Sequence, residues 1–147
     1  MIFQIPPIYF NPKFGVSACF LLHNKKFLTL KTASTKKFAG LWGVPAGKIE
    51  ENETPLSCIK RELKEETGLD IIEQEIKFYK TVYIRYPDMD YSYHMYYITL
   101  EKKPKIILDP KESEEYKWTN SKESLKLPLI PDEDGCVEMF AKDIMKE

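Results

Sequence analysis

From Phe14 to His23 the chain is a mostly apolar run with β-branched and aromatic members, and beyond Asn24-Lys25-Lys26 a second apolar stretch covers Phe27 to Leu30. Two such runs joined by a short polar turn predict a β-hairpin. Lys31 to Ala39 is a polar loop, and Leu41 to Ile49 reads as a short strand region broken by Gly43, Pro45 and Gly47. Thr54-Pro55 then offers an N-cap followed by proline at the first helical position, and Gly68 supplies a left-handed C-terminal residue. Between these signals Leu56, Ile59 and Leu63 recur at i, i+3 and i+7, one apolar stripe of a helix that a sheet can cover. Two aromatic-rich strands follow, Lys77 to Tyr86 and Tyr91 to Leu100, joined by the turn residues Pro87, Asp88 and Asp90. Tyr116 to Thr119 reads as a short strand. Asp132 to Lys146 reads as a helix with Val137, Phe140, Ala141 and Ile144 on its apolar side. Strands, an inserted helix, more strands and a terminal helix predict an α/β (α+β) sandwich.

The 147 residues suit one domain, expected over residues 1–147, with no internal repeat or low-complexity stretch. With 43% hydrophobic and 31% charged residues the chain can build both a core and a surface. Its 22 basic and 23 acidic residues leave a net charge of -1, so no global positive field draws nucleic acid or anionic lipid. A polyanionic ligand must be met locally. Cys19, Cys58 and Cys136 form neither a CxxC pair nor an even framework, which points to a reducing, cytoplasmic setting. Met1 to Pro12 lacks a leader pattern, and no apolar run approaches the roughly 20 residues of a membrane span.

The chemistry gathers around the central helix. Glu51 and Glu53 stand just upstream, and Glu62, Glu65 and Glu66, related by i, i+3 and i+4, lie within a roughly 100° arc. Lys60 and Lys64 project elsewhere, while Arg61 can pair with Glu65 at i, i+4. Clustered carboxylates repel one another unless a cation or hydrogen-bond donors compensate them. On a generic helix a solvated acidic face is the commoner outcome. All donors here are oxygens, including the backbone carbonyl of Gly47, and such a set favours Mg²⁺, with Mn²⁺ as substitute, over zinc.

The stretch Gly47 to Leu69, GKIEENETPLSCIKRELKEETGL, resembles the Nudix box, G-x5-E-x7-R-E-U-x-E-E-x-G-U with U a bulky aliphatic residue. Gly47, Glu53, Arg61, Glu62, Leu63, Glu65, Glu66, Gly68 and Leu69 fill every fixed position. A chance match in a chain of this length is on the order of 10⁻⁷ at ordinary residue frequencies. The flanking Leu41-Trp42-Gly43-Val44-Pro45-Ala46 is also similar, with Ala46 where many members carry glycine. The resemblance implies a Nudix-like α/β/α sandwich with a mixed sheet, and cleavage of a nucleoside diphosphate linked to a further moiety. It implies that Glu62, Glu65, Glu66 and the Gly47 carbonyl hold Mg²⁺, that Arg61 orients these carboxylates, and that Glu53 supports the site. Phosphoryl transfer asks for the same roles, since charge spreads over phosphoryl oxygens in an in-line displacement. For the base that deprotonates water, Glu62 stands beside a glutamate of the Glu112, Glu114, Glu115 run.

Substrate choice lies outside the box. Trp42, Phe38 and the tyrosines at 83, 86, 91, 93, 96 and 97 offer faces on which a nucleobase can stack, although sheet packing explains most of them. Tyr86, seventeen residues beyond Leu69, matches a tyrosine spacing of dinucleoside polyphosphate hydrolases. Lys36 and Lys37 can reach phosphate, with a solvated loop as the plainer role. His23 and His94 are isolated, and Cys58 on the helix reads as a small core residue rather than a nucleophile. The expected substrate is a small-molecule nucleotide, foremost a nucleoside triphosphate cleaved to a monophosphate and diphosphate. The other readings are a dinucleoside polyphosphate or nucleotide-sugar hydrolase and a non-catalytic nucleotide-sensing module. Neither a membrane nor a stable nucleic-acid partner is expected, and a homodimer is compatible with the sequence.

Overall fold

The computed structural model describes residues 1–147. Eight strands and three helices follow in the order β1 (Ile2–Phe3), β2 (Pro12–His23), β3 (Lys26–Thr32), β4 (Trp42–Gly43), β5 (Ala46–Lys48), α1 (Pro55–Thr67), β6 (Lys77–Tyr86), β7 (Met89–Thr99), β8 (Ser113–Thr119), α2 (Ser121–Ser124) and α3 (Glu133–Phe140). The strands form one mixed sheet, ordered β1-β6-β7-β2-β3-β4, with β5 paired to β2 and β8 to β3. Neighbours are antiparallel except β2 and β7, which run parallel from Pro12 opposite Asp90 to Leu22 opposite Thr99. The β2–β3 turn places Asn24 and Lys25 at φ 50° and 65°, the positive pair that a two-residue hairpin turn requires.

Alternation along β2 divides the core. Ala18 and Phe20 face α3 with Val82, Met95, Val137 and Phe140, whereas Cys19 and Leu21 face α1 with Ile59, Leu63 and Ile98. Each fully buried aliphatic or aromatic side chain contributes about 1.5–3 kcal/mol, so the sandwich rests on both faces of this strand. Helix α1 begins and ends where its signals stand. The Thr54 hydroxyl accepts from the Ser57 N–H at 3.0 Å, the Ser57 hydroxyl accepts from the Thr54 N–H at 2.9 Å, and Gly68 at φ 78° donates its N–H to the Lys64 carbonyl.

Several elements differ from the pattern reading. Strand β1 pairs with β6 although Ile2 and Phe3 give no periodic signal of their own. Strand β8 begins at Ser113, so Glu114 and Glu115 are strand residues beside β3. Asp90 lies in β7, where it accepts two hydrogen bonds from Arg85, because Pro87-Asp88 alone completes the turn. The terminal helix is α-helical to Phe140 and ends in a π turn over Ala141–Met145. No helix is long and apolar enough to cross a membrane.

Candidate active site

Strand β5 and α1 build the acidic cleft between them. Gly47 has a steric requirement, since a β-carbon there would fall inside the Glu62 carboxyl group. Arg61 ties the segment together. Its Nε and Nη2 donate to the two oxygens of Glu53 at 2.6 and 2.9 Å, its Nη1 donates to Glu62 at 2.8 Å and Glu65 at 3.1 Å, and Nη2 also reaches the Lys48 carbonyl at 3.2 Å. This fork lowers the Glu53 carboxyl to about 2. Glu66, one turn further, accepts the Ala46 N–H at 3.0 Å.

Burial raises the Glu62 carboxyl, against the pull of Arg61, and it raises Glu66 well above the ordinary carboxylate range, with neighbouring Glu62 adding to the effect. Such a cluster is short of positive charge. The cleft, of about 400 Å³, has Gly47, Arg61, Glu62, Glu65, Glu66 and Glu112 in its lining, together with Lys36 and Asp109. The donor set fits a hard divalent cation, because every candidate ligand is an oxygen, and the Gly47 carbonyl beside the carboxylates also accepts the Cys58 thiol at 3.6 Å. The carboxylates share one cleft without three of them closing on a single point.

The acidic run of residues 112–115 divides. Glu112 borders the cleft and pairs with Lys36 at 3.2 Å, Glu114 pairs with Lys31 at 3.5 Å on the neighbouring strand, and Glu115 is exposed opposite Lys31. Asp109 is a cleft residue that pattern reading missed, although Asp109-Pro110 marks a turn just before the run.

An apolar cavity of about 280 Å³ lies beyond Ala46. Phe14 and Tyr91 stack at its wall with centroids 5.1 Å apart, and Phe38, Tyr86 and Tyr93 contribute further rings. Lys37 lines both this cavity and a polar channel that Lys36, Glu66 and Glu112 also line. Ala46 lines cleft, channel and cavity alike, so the three adjoin one another at that residue.

The structure brings Tyr86 and Lys37 to this cavity and does not bring Trp42. Trp42 is 4% exposed, with the Lys117 ammonium over its ring at 5.2 Å and its backbone bonded to Pro128 and Ile130. As a β4 residue it packs into the sheet, so its flat face is not available for stacking. Tyr96 and Tyr97 pack in the two cores, and Tyr83 meets Phe10. His94 bonds to Thr81 and Ser92, away from the carboxylates. Burial pushes the Cys58 thiol up to about 11, which suits a packing residue. Glu133, unremarked in the sequence reading, lines the aromatic cavity as a buried carboxyl.

The family model described as NUDIX domain matches residues 13–140. An 8-oxo-dGTP diphosphatase from Proteus vulgaris is 32% identical over 77 residues, covering 52% of this chain and 66% of that protein, just under two thirds of its length. The uncharacterized Nudix hydrolase YvcI of Bacillus subtilis (strain 168) is 30% identical over 129 residues, covering 86% of this chain and 78% of YvcI. The crystal structure of the MutT protein from Methanosarcina mazei Go1 superimposes with a TM-score of 0.75 at 20% identity, covering 90% of this chain and 95% of that one, a likeness of fold.

Proposed function

The chain belongs to the NUDIX domain family, and on that premise we propose that it is a cation-dependent hydrolase of phosphoric anhydrides that splits nucleoside triphosphates into a monophosphate and diphosphate. The observation that carries this reading is that the acidic cleft and the aromatic cavity adjoin at Ala46, which offers one extended ligand a place for phosphates and a place for a base. The 8-oxo-dGTP diphosphatase activity named for the Proteus vulgaris relative supports a nucleoside triphosphate as substrate.

Glu62, Glu65, Glu66 and the Gly47 carbonyl would hold Mg²⁺, with Mn²⁺ an acceptable substitute. A divalent cation bound there supplies charge for the phosphoryl oxygens and lowers the pKa of water. Arg61 holds Glu62 and Glu65 in register, and Glu53 fixes the other side of the guanidinium fork. Lys37, between channel and cavity, meets the phosphate chain. Tyr86 and the Phe14–Tyr91 pair enclose the base. Two carboxylates at the cleft stand ready to take the proton of the attacking water, Glu62 and Glu112. The three cysteines are free and buried, in keeping with a reducing cytoplasm.

A screen of nucleoside triphosphates, dinucleoside polyphosphates, ADP-ribose and nucleotide sugars with Mg²⁺, read by product chromatography, tests the reading. Monophosphate and diphosphate from a triphosphate are the expected products, and turnover stops on exhaustive chelation. Full turnover after chelation, or cleavage confined to the other classes, would overturn it.

A further inference from the structure

Strands β3 and β8 pair from Thr32 opposite Ser113, next to the cleft residue Glu112, to Phe27 opposite Thr119 at their other end. At about 3.3 Å per residue the two ends stand about 17 Å apart. A second polar pocket, of about 430 Å³, opens at the far end, with Lys26, Lys103, Lys117, Trp118, Thr119 and Glu123 in its lining. Three lysines stand against one glutamate, and that glutamate is already engaged. Glu123 accepts the Asn120 N–H at 3.0 Å in the cap of α2 and pairs with Lys26 at 3.3 Å. The cap thus holds Glu123, and Glu123 holds Lys26. Lys103 and Lys117 pair with no carboxylate and donate no hydrogen bond, and the Lys117 ammonium rests over the Trp42 ring at 5.2 Å. Exposed lysines continue the charge in the flanking sequence, Lys25, Lys102, Lys105, Lys122 and Lys126, with only Glu101 added on the acidic side. In a chain of net charge -1 the charges are therefore segregated: a carboxylate cleft lies at one end of β3 and β8, and a lysine pocket at the other. Like charges gathered around one pocket repel, and donors without acceptors leave room for an anion.

We propose that this pocket binds a short phosphate chain, of the inorganic diphosphate or triphosphate class, without the help of a metal ion. Lysine ammonium groups meet phosphate oxygens as point charges, a match that needs no fixed fork. Lys103 and Lys117 supply the uncommitted charge, Lys26 adds a third cation positioned by Glu123, and the half-buried Trp118 forms part of the wall. The two ends differ in sign. The carboxylates of the cleft repel a phosphate until a cation intervenes, whereas at the far end the protein's own charge attracts it. The inference stands apart from the hydrolytic reading, because no turnover enters into it.

Calorimetry of inorganic triphosphate against the full chain, at low salt with excess EDTA, isolates the pocket by keeping the cleft free of cations. One site with a Kd below about 1 mM is expected, weakening at least about tenfold as salt rises from about 20 to about 300 mM. Lys103→Gln and Lys117→Gln should each weaken binding at least about threefold. Lys80→Gln removes an equal charge from β6, on the opposite side of the sheet, and should leave the Kd within about 1.5-fold. Amide resonances of Lys103 and Trp118 should shift with triphosphate while that of Gly47 stays in place. Absence of saturable binding overturns the proposal. Equal losses in all three variants, the mark of a diffuse field, overturn it too, as do shifts centred on Gly47, which would put the anion in the cleft. A further arm uses oligothymidylate of about ten nucleotides. Tighter binding of that strand than of triphosphate through the same lysines would make the pocket part of a nucleic-acid surface and sink the small-anion site. Each substitution replaces an exposed side chain, so a native fold is expected in every variant.

Discussion

The five donors of Arg61 are shared among Glu53, Glu62, Glu65 and the Lys48 carbonyl, so the side chain spans both sides of the cleft. A lysine ammonium reaches one of these partners and lacks the planar fork. Arg61→Lys should cut turnover at least about tenfold with the fold retained. Turnover and thermal midpoint followed across a Mg²⁺ titration measure this, and wild-type turnover at every Mg²⁺ concentration would reduce Arg61 to a surface partner. Gly47→Ala makes a sharper demand, because its methyl group occupies the space of the Glu62 carboxyl. Glu62 must swing away, and turnover at saturating Mg²⁺ should fall by more than about tenfold while circular dichroism remains native-like. The contacts of Arg61 with Glu62 and Glu65 were readable from spacing, since these residues stand within one helical turn of one another. Glu133 was not, because nothing local marks a glutamate as buried. Trp42 misled for the same reason: proximity to the box in sequence says nothing about which face of a strand a ring takes.

Helix α1 was legible to the residue because its determinants are local. Thr54, Pro55, Ser57 and Gly68 act within one turn of the ends they define. Strand β1 was not, since Ile2 and Phe3 become a strand through partners at Ile84 and Tyr83, far along the chain. The same contrast yields a prediction for the helix end. Gly68 at φ 78° also lies where a β-carbon would meet Ile107 Cβ at 3.1 Å. Gly68→Ala should therefore destabilise the protein by about 1–2 kcal/mol. A drop in thermal midpoint of about 3–8 °C is the corresponding signal, and an unchanged midpoint would show that the left-handed turn relaxes freely.

At the scale of the whole molecule, the buried Glu133 makes stability depend on pH. Below the ordinary carboxylate range both folded and unfolded chains hold this proton, and the group imposes no pH dependence. Between that range and about 7 the unfolded chain releases the proton while the folded chain keeps it, so stability falls as pH rises. Above about 7 both states are ionised and the decline stops, at about 3 kcal/mol in total. Denaturant melts of wild type and Glu133→Gln between pH 5 and pH 8 should diverge up to about 7 with the variant gaining and run level beyond it, and curves parallel throughout would show that the carboxyl is better solvated than its burial implies. The parallel pair of β2 with β7 has a consequence for how the chain is made. Residues 12–22 wait for residues 90–99 before the middle of the sheet exists, and both layers are hung on that pair. A ribosome must release two thirds of the chain before either face can close, so the hairpin and α1 emerge early with their apolar surfaces uncovered. Folding should thus be slow for a domain of this length, limited by one long-range encounter, and chaperone demand during synthesis should peak just before β7 appears.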